Sequence, residues 1–239
     1  YAREYPYSAF VQAFAMFTQQ ILGEREEDLA LWRNAIAQQL GENGSLLTGL
    51  VADLDKLIGP QGSIPDIGAM EGKTRFLNTC IDFLSAIALN GKSLVIFLDD
   101  LQWADSGSLA LLQAIASSSL RHILVIGAYR DNEVDMAHPL FTAMAHLEKE
   151  HRDKVTRLSL PELDAGSVNQ LIADSLRMSA AATQALSAEI MARTRGNPFF
   201  VREFVERLLE ERAIHYDETL RSWVWDLEGI RSMDLSAYV

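Results

Sequence analysis

The sequence predicts an α/β fold in which a parallel sheet packed with helices precedes a helical region and a β-hairpin. Three observations carry this prediction. Apolar runs alternate with helical periodicity over residues 94–160, which is the order expected of a sheet built through crossover helices. Apolar residues recur at helical spacing over residues 1–90 and again over 164–212. Residues 213–227 alternate apolar and polar side chains in two short arms.

The first 90 residues are predicted to form helices, because four stripes of apolar residues recur every three or four positions. A stretch at 59–69 contains three glycines and two prolines, which predicts a loop before the last of these helices. The stripes run from Phe10 to Ile21, from Leu29 to Leu40, from Leu46 to Ile58 and from Phe76 to Ile87.

Strands and helices are then predicted to alternate, which implies parallel pairing of the strands. Pro139 is expected at the first position of a helix, where proline is favoured, and Pro161 ends the last strand. The predicted elements are a strand at Leu94–Leu98, a helix at 106–118, a strand at 123–128, a helix opening at His138 and a third strand at 155–160.

The remaining chain is predicted to form helices at about 164–177, 180–194 and 198–212, followed by a hairpin. In the hairpin, Ile214 and Tyr216 alternate on one arm, and Trp223 and Trp225 on the other. We therefore divide the chain into three parts. Residues 1–162 form the sheet-bearing domain, residues 163–212 a helical domain, and residues 213–239 a hairpin that begins a following domain.

Composition and charge exclude several classes of protein. The net charge of −12 argues against a nucleic-acid-binding surface, which needs clustered lysine and arginine. The single cysteine, Cys80, excludes an intrachain disulfide and fits a reducing cytosol. No apolar run approaches the ~20 residues of a membrane-spanning helix, so we expect a cytoplasmic protein with no membrane segment. The chain opens at Tyr1 without an initiator Met, as expected of a segment cut from a longer protein.

Two adjacent acids, Asp99 and Asp100, directly follow the apolar run Leu94–Leu98. Ligands of open α/β sheets bind outside the carboxyl ends of the strands. We assign Asp99 as the Mg²⁺ ligand and Asp100 as the group that orients or deprotonates the water attacking a γ-phosphate. The extension through Trp103 to Asp105 makes the run a Walker B element. A turn made by two exposed acids is the alternative.

Two further residues of this run have simpler roles. Asp105 precedes a predicted helix, so we expect its side chain to cap that helix. Trp103 is expected to pack against the protein rather than stack on a nucleotide. At the other end of the chain, Ser8 is expected to cap the first helix.

Arg130 follows the second predicted strand, in the run Gly127–Glu133. It should therefore lie at the same edge of the sheet as the acids, where a cation can neutralise charge that develops on a γ-phosphate. The alternative is a solvated ion pair with Asp131 or Glu133, which would contribute little.

The run Gly196–Phe200 offers a third candidate contact. Asn197 as an N-cap and Pro198 at the first helical position explain it without a ligand. The rigid edge of Pro198 can also pack on an adenine face. We expect Phe199 and Phe200, with Phe204, to be core residues.

One segment, Gly68–Thr74, looks like a phosphate-binding loop but fails on two counts. It has three residues between its glycines where the Walker A pattern has four. No apolar strand leads into it, although such a loop needs a strand before it and a helix after it. We therefore exclude this segment and expect Lys73 to be an exposed helical charge.

Three motifs occur in an order that resembles AAA-type ATPase modules of the STAND class: Leu98–Asp105, Gly127–Asp131 and Gly196–Phe200. The resemblance is strongest to modules inside large bacterial multidomain signalling kinases. In those proteins a Ser/Thr-kinase-like domain precedes the ATPase, and a helical region, a GAF sensor and a histidine kinase follow it. The segments Tyr5–Phe10 and Trp223–Asp226 also resemble that group.

The resemblance implies a partial P-loop NTPase of the ASCE type, a helical lid and the start of a winged-helix region. It implies ATP and Mg²⁺ as cofactors, Asp99 as the metal ligand, Asp100 as the catalytic carboxylate, Arg130 as a γ-phosphate sensor and Pro198 as an adenine contact. The resemblance implies that Walker A precedes Tyr1 in the sequence. In the sheet, its strand would lie between the predicted strands at 123–128 and 155–160. The fragment alone is then expected to have an incomplete sheet and to bind ATP poorly.

Three functions stay open at this point. The first is an ATP-dependent switch that acts on kinase and sensor domains of the same polypeptide, with nucleotide-dependent self-association compatible with it. The second is a non-catalytic interaction scaffold that kept the fold. The third is the ATPase module of a transcriptional regulator. The sequence leaves open whether hydrolysis occurs.

Overall fold

A computed structural model of the chain describes residues 6–64, 68–89 and 93–233. The chain divides into two compact units, Tyr1–Thr156 and Arg157–Val239. Each unit has its own hydrophobic core. Within the described residues, no helix combines the length and apolar character needed to cross a membrane.

The first unit opens with helices whose predicted apolar stripes are buried. Phe14 of the first helix packs against Phe83 of the fifth, with ring centroids 5.0 Å apart. The third predicted stripe forms two short helices rather than one, because Asp53 adopts a left-handed backbone (φ 63°) that a right-handed helix cannot include. The helices are α1 (Ser8–Leu22), α2 (Glu26–Leu40), α3 (Gly44–Thr48), α4 (Leu54–Ile58) and α5 (Ala69–Leu89).

The parallel sheet consists, in the described residues, of β1 (Leu94–Leu98) and β2 (Ile123–Gly127). The strands pair in parallel, with Leu94 opposite Ile123 and Leu98 opposite Gly127. Helix α6 (Ser106–Ser117) connects them, and α7 (Pro139–Glu150) follows. One face of β1 is buried and the other is exposed, although parallel strands are ordinarily covered on both faces. The parallel α/β arrangement is confirmed, and its sheet is small.

The third predicted strand, residues 155–160, is wrong. The structure shows no strand there, and Leu158 and Leu160 are 81% and 92% exposed. A strand exists only when its backbone groups pair with a neighbour, and this segment has no such partner among the described residues. Alternation of apolar and polar side chains is therefore not sufficient for a strand to form.

The second unit contains the three predicted helices and the predicted hairpin. The hairpin is confirmed by antiparallel pairing of its strands, in which Tyr216 lies opposite Trp223 with ring centroids 5.7 Å apart. The elements are α8 (Ala165–Leu176), α9 (Ala180–Thr194), α10 (Pro198–Glu210), β3 (Ile214–Asp217), β4 (Ser222–Trp225) and α11 (Leu227–Ser232).

The turn before α10 depends on Gly196. Its φ of 81° lies in the left-handed region, and a Cβ there would collide with the backbone oxygen of Leu163. The Gly196 carbonyl also accepts a hydrogen bond of 2.9 Å from the Leu163 N–H. This close backbone approach fixes the point at which α10 begins.

The prediction that three phenylalanines of α10 are core residues is correct for one of them. Phe204 is 6% exposed, whereas Phe199 and Phe200 are 58% and 36% exposed. The two exposed residues lie in the first turn of α10, and the inward-facing side of the helix carries Val201, Phe204 and Leu208. Three- and four-residue spacing, rather than hydrophobicity alone, decides which side chains are buried.

Candidate functional site

The candidate site lies at the carboxyl edge of the parallel sheet. The Ala128 N–H donates to the Leu98 carbonyl, and the Leu101 N–H donates to the Ala128 carbonyl, both at 2.9 Å. These bonds tie the loop after β1 to the end of β2. A Cβ on Gly127 would collide with the Leu101 side chain, so the loop packs closely over the end of β2. The hydrogen bonds and packing at the ends of β1 and β2 therefore position the loop that carries Asp99 and Asp100.

Asp100 and Arg130 are brought together by this arrangement. The Asp100 Oδ1 and Arg130 Nε atoms are 3.6 Å apart. Asp100 has a left-handed backbone conformation, with φ 51°, which is uncommon for a residue other than glycine. The strained residue and the cation thus meet at one edge of the sheet. The predicted proximity of these two residues is confirmed as geometry, and their roles remain predictions.

The guanidinium of Arg130 has two further partners. Its Nη1 donates to Glu133 Oε1 at 3.2 Å, and its Cζ lies 5.9 Å from the centroid of the Trp103 ring. The ion pair with Glu133 is the alternative raised from the sequence, and it coexists with the contact to Asp100. Trp103 is half exposed, so the expectation that it packs into the protein is only partly met. The Trp103 ring makes a cation–π contact with the Arg130 guanidinium.

Gln102 joins the two sides of the site and was missed by sequence reasoning. Its Nε2 donates to Asp100 Oδ1 at 2.8 Å, and its Oε1 accepts the Arg130 backbone N–H at 3.3 Å. The side chain is buried, with 4% of the residue exposed. Residue type gives no signal for this role, because glutamine in a loop is ordinarily exposed.

Asp99 has the chemistry of a magnesium ligand. Its Oδ1 accepts the Asp100 backbone N–H at 2.9 Å, and the residue is exposed. Mg²⁺ is commonly held by one or two carboxylates together with water and substrate phosphates. The described residues contain no group of three or more metal-binding side chains. Asp99 therefore offers one exposed carboxylate to a cation.

Asp105 caps α6 as predicted, and it also caps α1. Its carboxylate accepts the Ser108 N–H at 2.9 Å, the Tyr7 N–H at 2.8 Å and the Ser8 N–H at 3.1 Å. Burial opposes its ionisation, but these bonds and that from the Ser108 hydroxyl outweigh burial and hold the pKa of Asp105 below its ordinary value.

The expectation that Ser8 caps α1 is therefore wrong. Residue Tyr7 occupies the cap position with no side-chain cap of its own. Ser8 is already in the helix, and its hydroxyl donates to Asp105 at 3.3 Å. Asp105, distant in sequence, supplies the acceptor that the predicted local cap was expected to supply.

Pro198 lies in the second unit, whereas Asp99, Asp100 and Arg130 lie in the first. It occupies the first position of α10, and the Asn197 side chain accepts the Phe199 N–H at 3.0 Å. The local sequence is thus explained by helix initiation, as predicted. A contact between Pro198 and adenine stays a prediction.

The excluded segment Gly68–Thr74 is helical from Ala69 onward. Helix α5 begins at Ala69 and includes Lys73, which is exposed. The Gly72 N–H donates to the Gly68 carbonyl at 2.8 Å, so this amide is already bonded within the helix. A phosphate loop needs such amides free to point at the ligand, so the helix supports the exclusion, which stays a prediction.

Comparisons with known proteins match two family models and one curated relative to the chain. The model of the "AAA ATPase domain" family matches residues 1–126, which is more than half of the chain. A "domain of unknown function (DUF8739)" matches residues 167–219. The hybrid signal transduction histidine kinase G of Dictyostelium discoideum is 23% identical over 295 aligned residues.

That alignment covers 97% of this chain and 8% of the relative. The chain therefore spans less than a tenth of the curated protein that it matches. No solved structure matches the chain. Since the family model covers more than half of the chain, including β1 and the acid-bearing loop, the chain belongs to the AAA ATPase domain family.

Proposed function

We propose that the chain is the acid-bearing part of an ATP-binding switch module in a multidomain signal-transduction kinase. Two findings support this proposal. The chain belongs to an ATPase domain family, and a curated relative that contains a similar segment is a hybrid signal transduction histidine kinase.

The observation that carries the proposal is the approach of Asp100 Oδ1 to Arg130 Nε, 3.6 Å apart at the carboxyl edge of parallel strands. Nucleotides bind outside this edge in open α/β sheets. In the proposed site Asp99 holds Mg²⁺ and Asp100 orients the attacking water. Arg130 neutralises charge that develops on the γ-phosphate.

The switch itself is proposed to use the helical domain at 163–212 as a lid, with Pro198 against the adenine. A ligand shifts a conformational equilibrium only as far as its affinities for the two states differ. ATP, which carries the γ-phosphate, would therefore bias the lid differently from ADP. That bias would act on kinase and sensor domains of the same polypeptide.

The test is ATP affinity in the presence of Mg²⁺, measured by calorimetry on the full-length protein that carries this chain. We expect Asp99→Ala and Arg130→Ala each to weaken binding about 10- to 100-fold, since contacts between charged groups are worth about 1.5–3 kcal/mol. Pro198→Ala should cause a milder loss. Lys73→Ala is the control, because Lys73 is exposed on α5.

Two results would contradict the proposal. Affinity unchanged by Asp99→Ala and Arg130→Ala would refute the site assignment. Absence of ATP binding in the full-length wild-type protein would favour the interaction scaffold. A loss of affinity in Lys73→Ala would instead contradict the exclusion of Gly68–Thr74 from the site.

A further inference from the structure

Gln102 contacts two of the three candidate functional residues of the first unit, Asp100 and Arg130. One end of its amide lies 2.8 Å from Asp100 Oδ1, and the other lies 3.3 Å from the Arg130 backbone nitrogen. The residue is 4% exposed, although it sits in the turn between β1 and α6. Gln102 is thus a buried polar group whose two ends are both bonded to site residues.

The orientation of this amide is dictated by its partners. A carboxylate such as Asp100 accepts hydrogen bonds, and the backbone N–H of Arg130 donates one. Only Nε2 facing Asp100 and Oε1 facing Arg130 satisfies both. The reversed amide would place oxygen against oxygen and N–H against N–H. Gln102 therefore donates one hydrogen bond and accepts another. A side chain that can only donate or only accept cannot replace it.

The distances show which partner sets the position of Asp100. Gln102 Nε2 is 2.8 Å from Asp100 Oδ1, within hydrogen-bond range, whereas Arg130 Nε is 3.6 Å from the same oxygen. Arg130 is also 59% exposed at its side chain, so its guanidinium is free of burial and can turn toward a phosphate. The bond from Gln102 would then keep Asp100 in place.

Packing alone does not explain a glutamine here. A buried amide costs free energy unless it is fully bonded, whereas an apolar side chain of similar size carries no such cost. We propose that Gln102 is a positioning residue that holds the Asp100 carboxylate in line for water activation and fixes the segment after β2 that carries Arg130. This inference rests on the proposed function and names a determinant of hydrolysis within that site.

Two substitutions separate the two bonds. Gln102→Met keeps the length of the side chain and removes both bonds. Gln102→Glu keeps an acceptor for the Arg130 N–H but removes the donor to Asp100 and places a second carboxylate beside it. Gln113→Met is the matched control, because it makes the same chemical change on α6 away from the site.

The experiment measures ATP affinity, the single-turnover rate of ATP hydrolysis and hydrogen exchange at the Arg130 amide, in the full-length protein. We expect both Gln102 variants to slow hydrolysis about 10- to 100-fold, as removal of supporting groups around a site commonly does, with ATP affinity changed less than about threefold. Exchange at Arg130 should accelerate in Gln102→Met and stay slow in Gln102→Glu. Gln113→Met should leave all three measurements unchanged.

Several outcomes would overturn the inference. Hydrolysis within twofold of wild type in both variants would show that Gln102 only fills the turn. If the hydrolysis rate and the ATP affinity fall by the same factor and the melting temperature falls as well, Gln102 has a role in folding alone. Wild-type protein that binds ATP without hydrolysing it would also overturn the inference, while leaving nucleotide binding intact. Wild-type protein that binds no ATP would overturn the proposed function, and the inference with it.

Discussion

The dual cap at Asp105 makes a sharp prediction about stability. Its carboxylate accepts the Tyr7 and Ser8 N–H groups at the start of α1, and the Ser108 N–H at the start of α6. The Ser108 hydroxyl donates to it as well, at 2.6 Å. The change Asp105→Ala removes all of these acceptors at once and should destabilise the first unit more than the loss of an ordinary cap.

The magnitude follows from the number of caps. Loss of one N-cap side chain typically costs about 1 kcal/mol, so two caps cost about 2 kcal/mol. Ser108 is buried, and leaving its hydroxyl without an acceptor adds about 1 kcal/mol or more. We therefore expect Asp105→Ala to lower the free energy of unfolding by about 3 kcal/mol.

Chemical denaturation measures this loss, and hydrogen exchange locates it in α1 and α6. The control is Asp164→Ala, because Asp164 caps α8 alone, accepting the Ser167 N–H at 2.7 Å, and should cost about 1 kcal/mol. If Asp105→Ala costs no more than Asp164→Ala, or if exchange accelerates in α6 but not in α1, the dual cap is refuted.

The same residue predicts a dependence on pH. The pKa of Asp105 is lowered in the folded chain from its ordinary value of 3.8. A carboxyl with a lowered pKa stabilises the fold above the unfolded pKa and loses that contribution as pH falls through the folded pKa. The difference in stability between wild type and Asp105→Ala should be full above about pH 5 and shrink below 3.8. A difference that grows on acidification would contradict this.

Three further predictions concern packing. Gly196→Ala should destabilise the second unit by about 2 kcal/mol or more, because it combines a left-handed backbone with a clash. Gly62→Ala, at a position without a positive φ and with open space around it, should change stability by less than about 0.5 kcal/mol. Phe204→Ala should lower the free energy of unfolding by about 3–5 kcal/mol, because Phe204 is buried. Phe199→Ala should lower it by less than about 0.5 kcal/mol, because Phe199 is exposed. Urea denaturation measures both, and equal losses would contradict the burial pattern. Burial raises the pKa of the Cys80 thiol to about 12, so iodoacetamide at pH 8 should label it only on unfolding, and rapid labelling of the native protein would contradict that.

Local signals predicted much of the fold. The helical stripes, the parallel pair β1–β2, the cap at Asp105 and the hairpin all follow from residue spacing, capping chemistry and chain order. Each of these depends on residues close in sequence or on the handedness of crossover connections. They are therefore visible without knowledge of tertiary contacts.

Two of the predictions that failed, the strand at 155–160 and the cap at Ser8, depend on contacts between distant residues. Residues 155–160 alternate as a strand would, but pairing decides whether a strand forms. Asp105 reaches Tyr7 and Ser8 from 98 and 97 positions away in the chain, and nothing in the local sequence of either segment reveals the other. Periodicity specifies which faces are apolar, and tertiary packing specifies what they meet.

The candidate site was predictable in outline. The acids and Arg130 were located because parallel strands end at one edge of the sheet. The buried amide of Gln102 was not, because its burial arises from the fold of the turn around it. Residues that act through others, rather than on a ligand, leave the weakest signal in a single sequence.

The most direct test of the account is a double-mutant cycle on ATP hydrolysis with Asp100→Asn and Arg130→Ala. If both groups act on one phosphate, each change should slow single-turnover hydrolysis by about 100-fold or more. The double variant should then lose far less than the product of the two effects, because residues that act as a unit are not additive. Hydrolysis unaffected by either change, or losses that multiply independently, would contradict a shared site at this edge of the sheet.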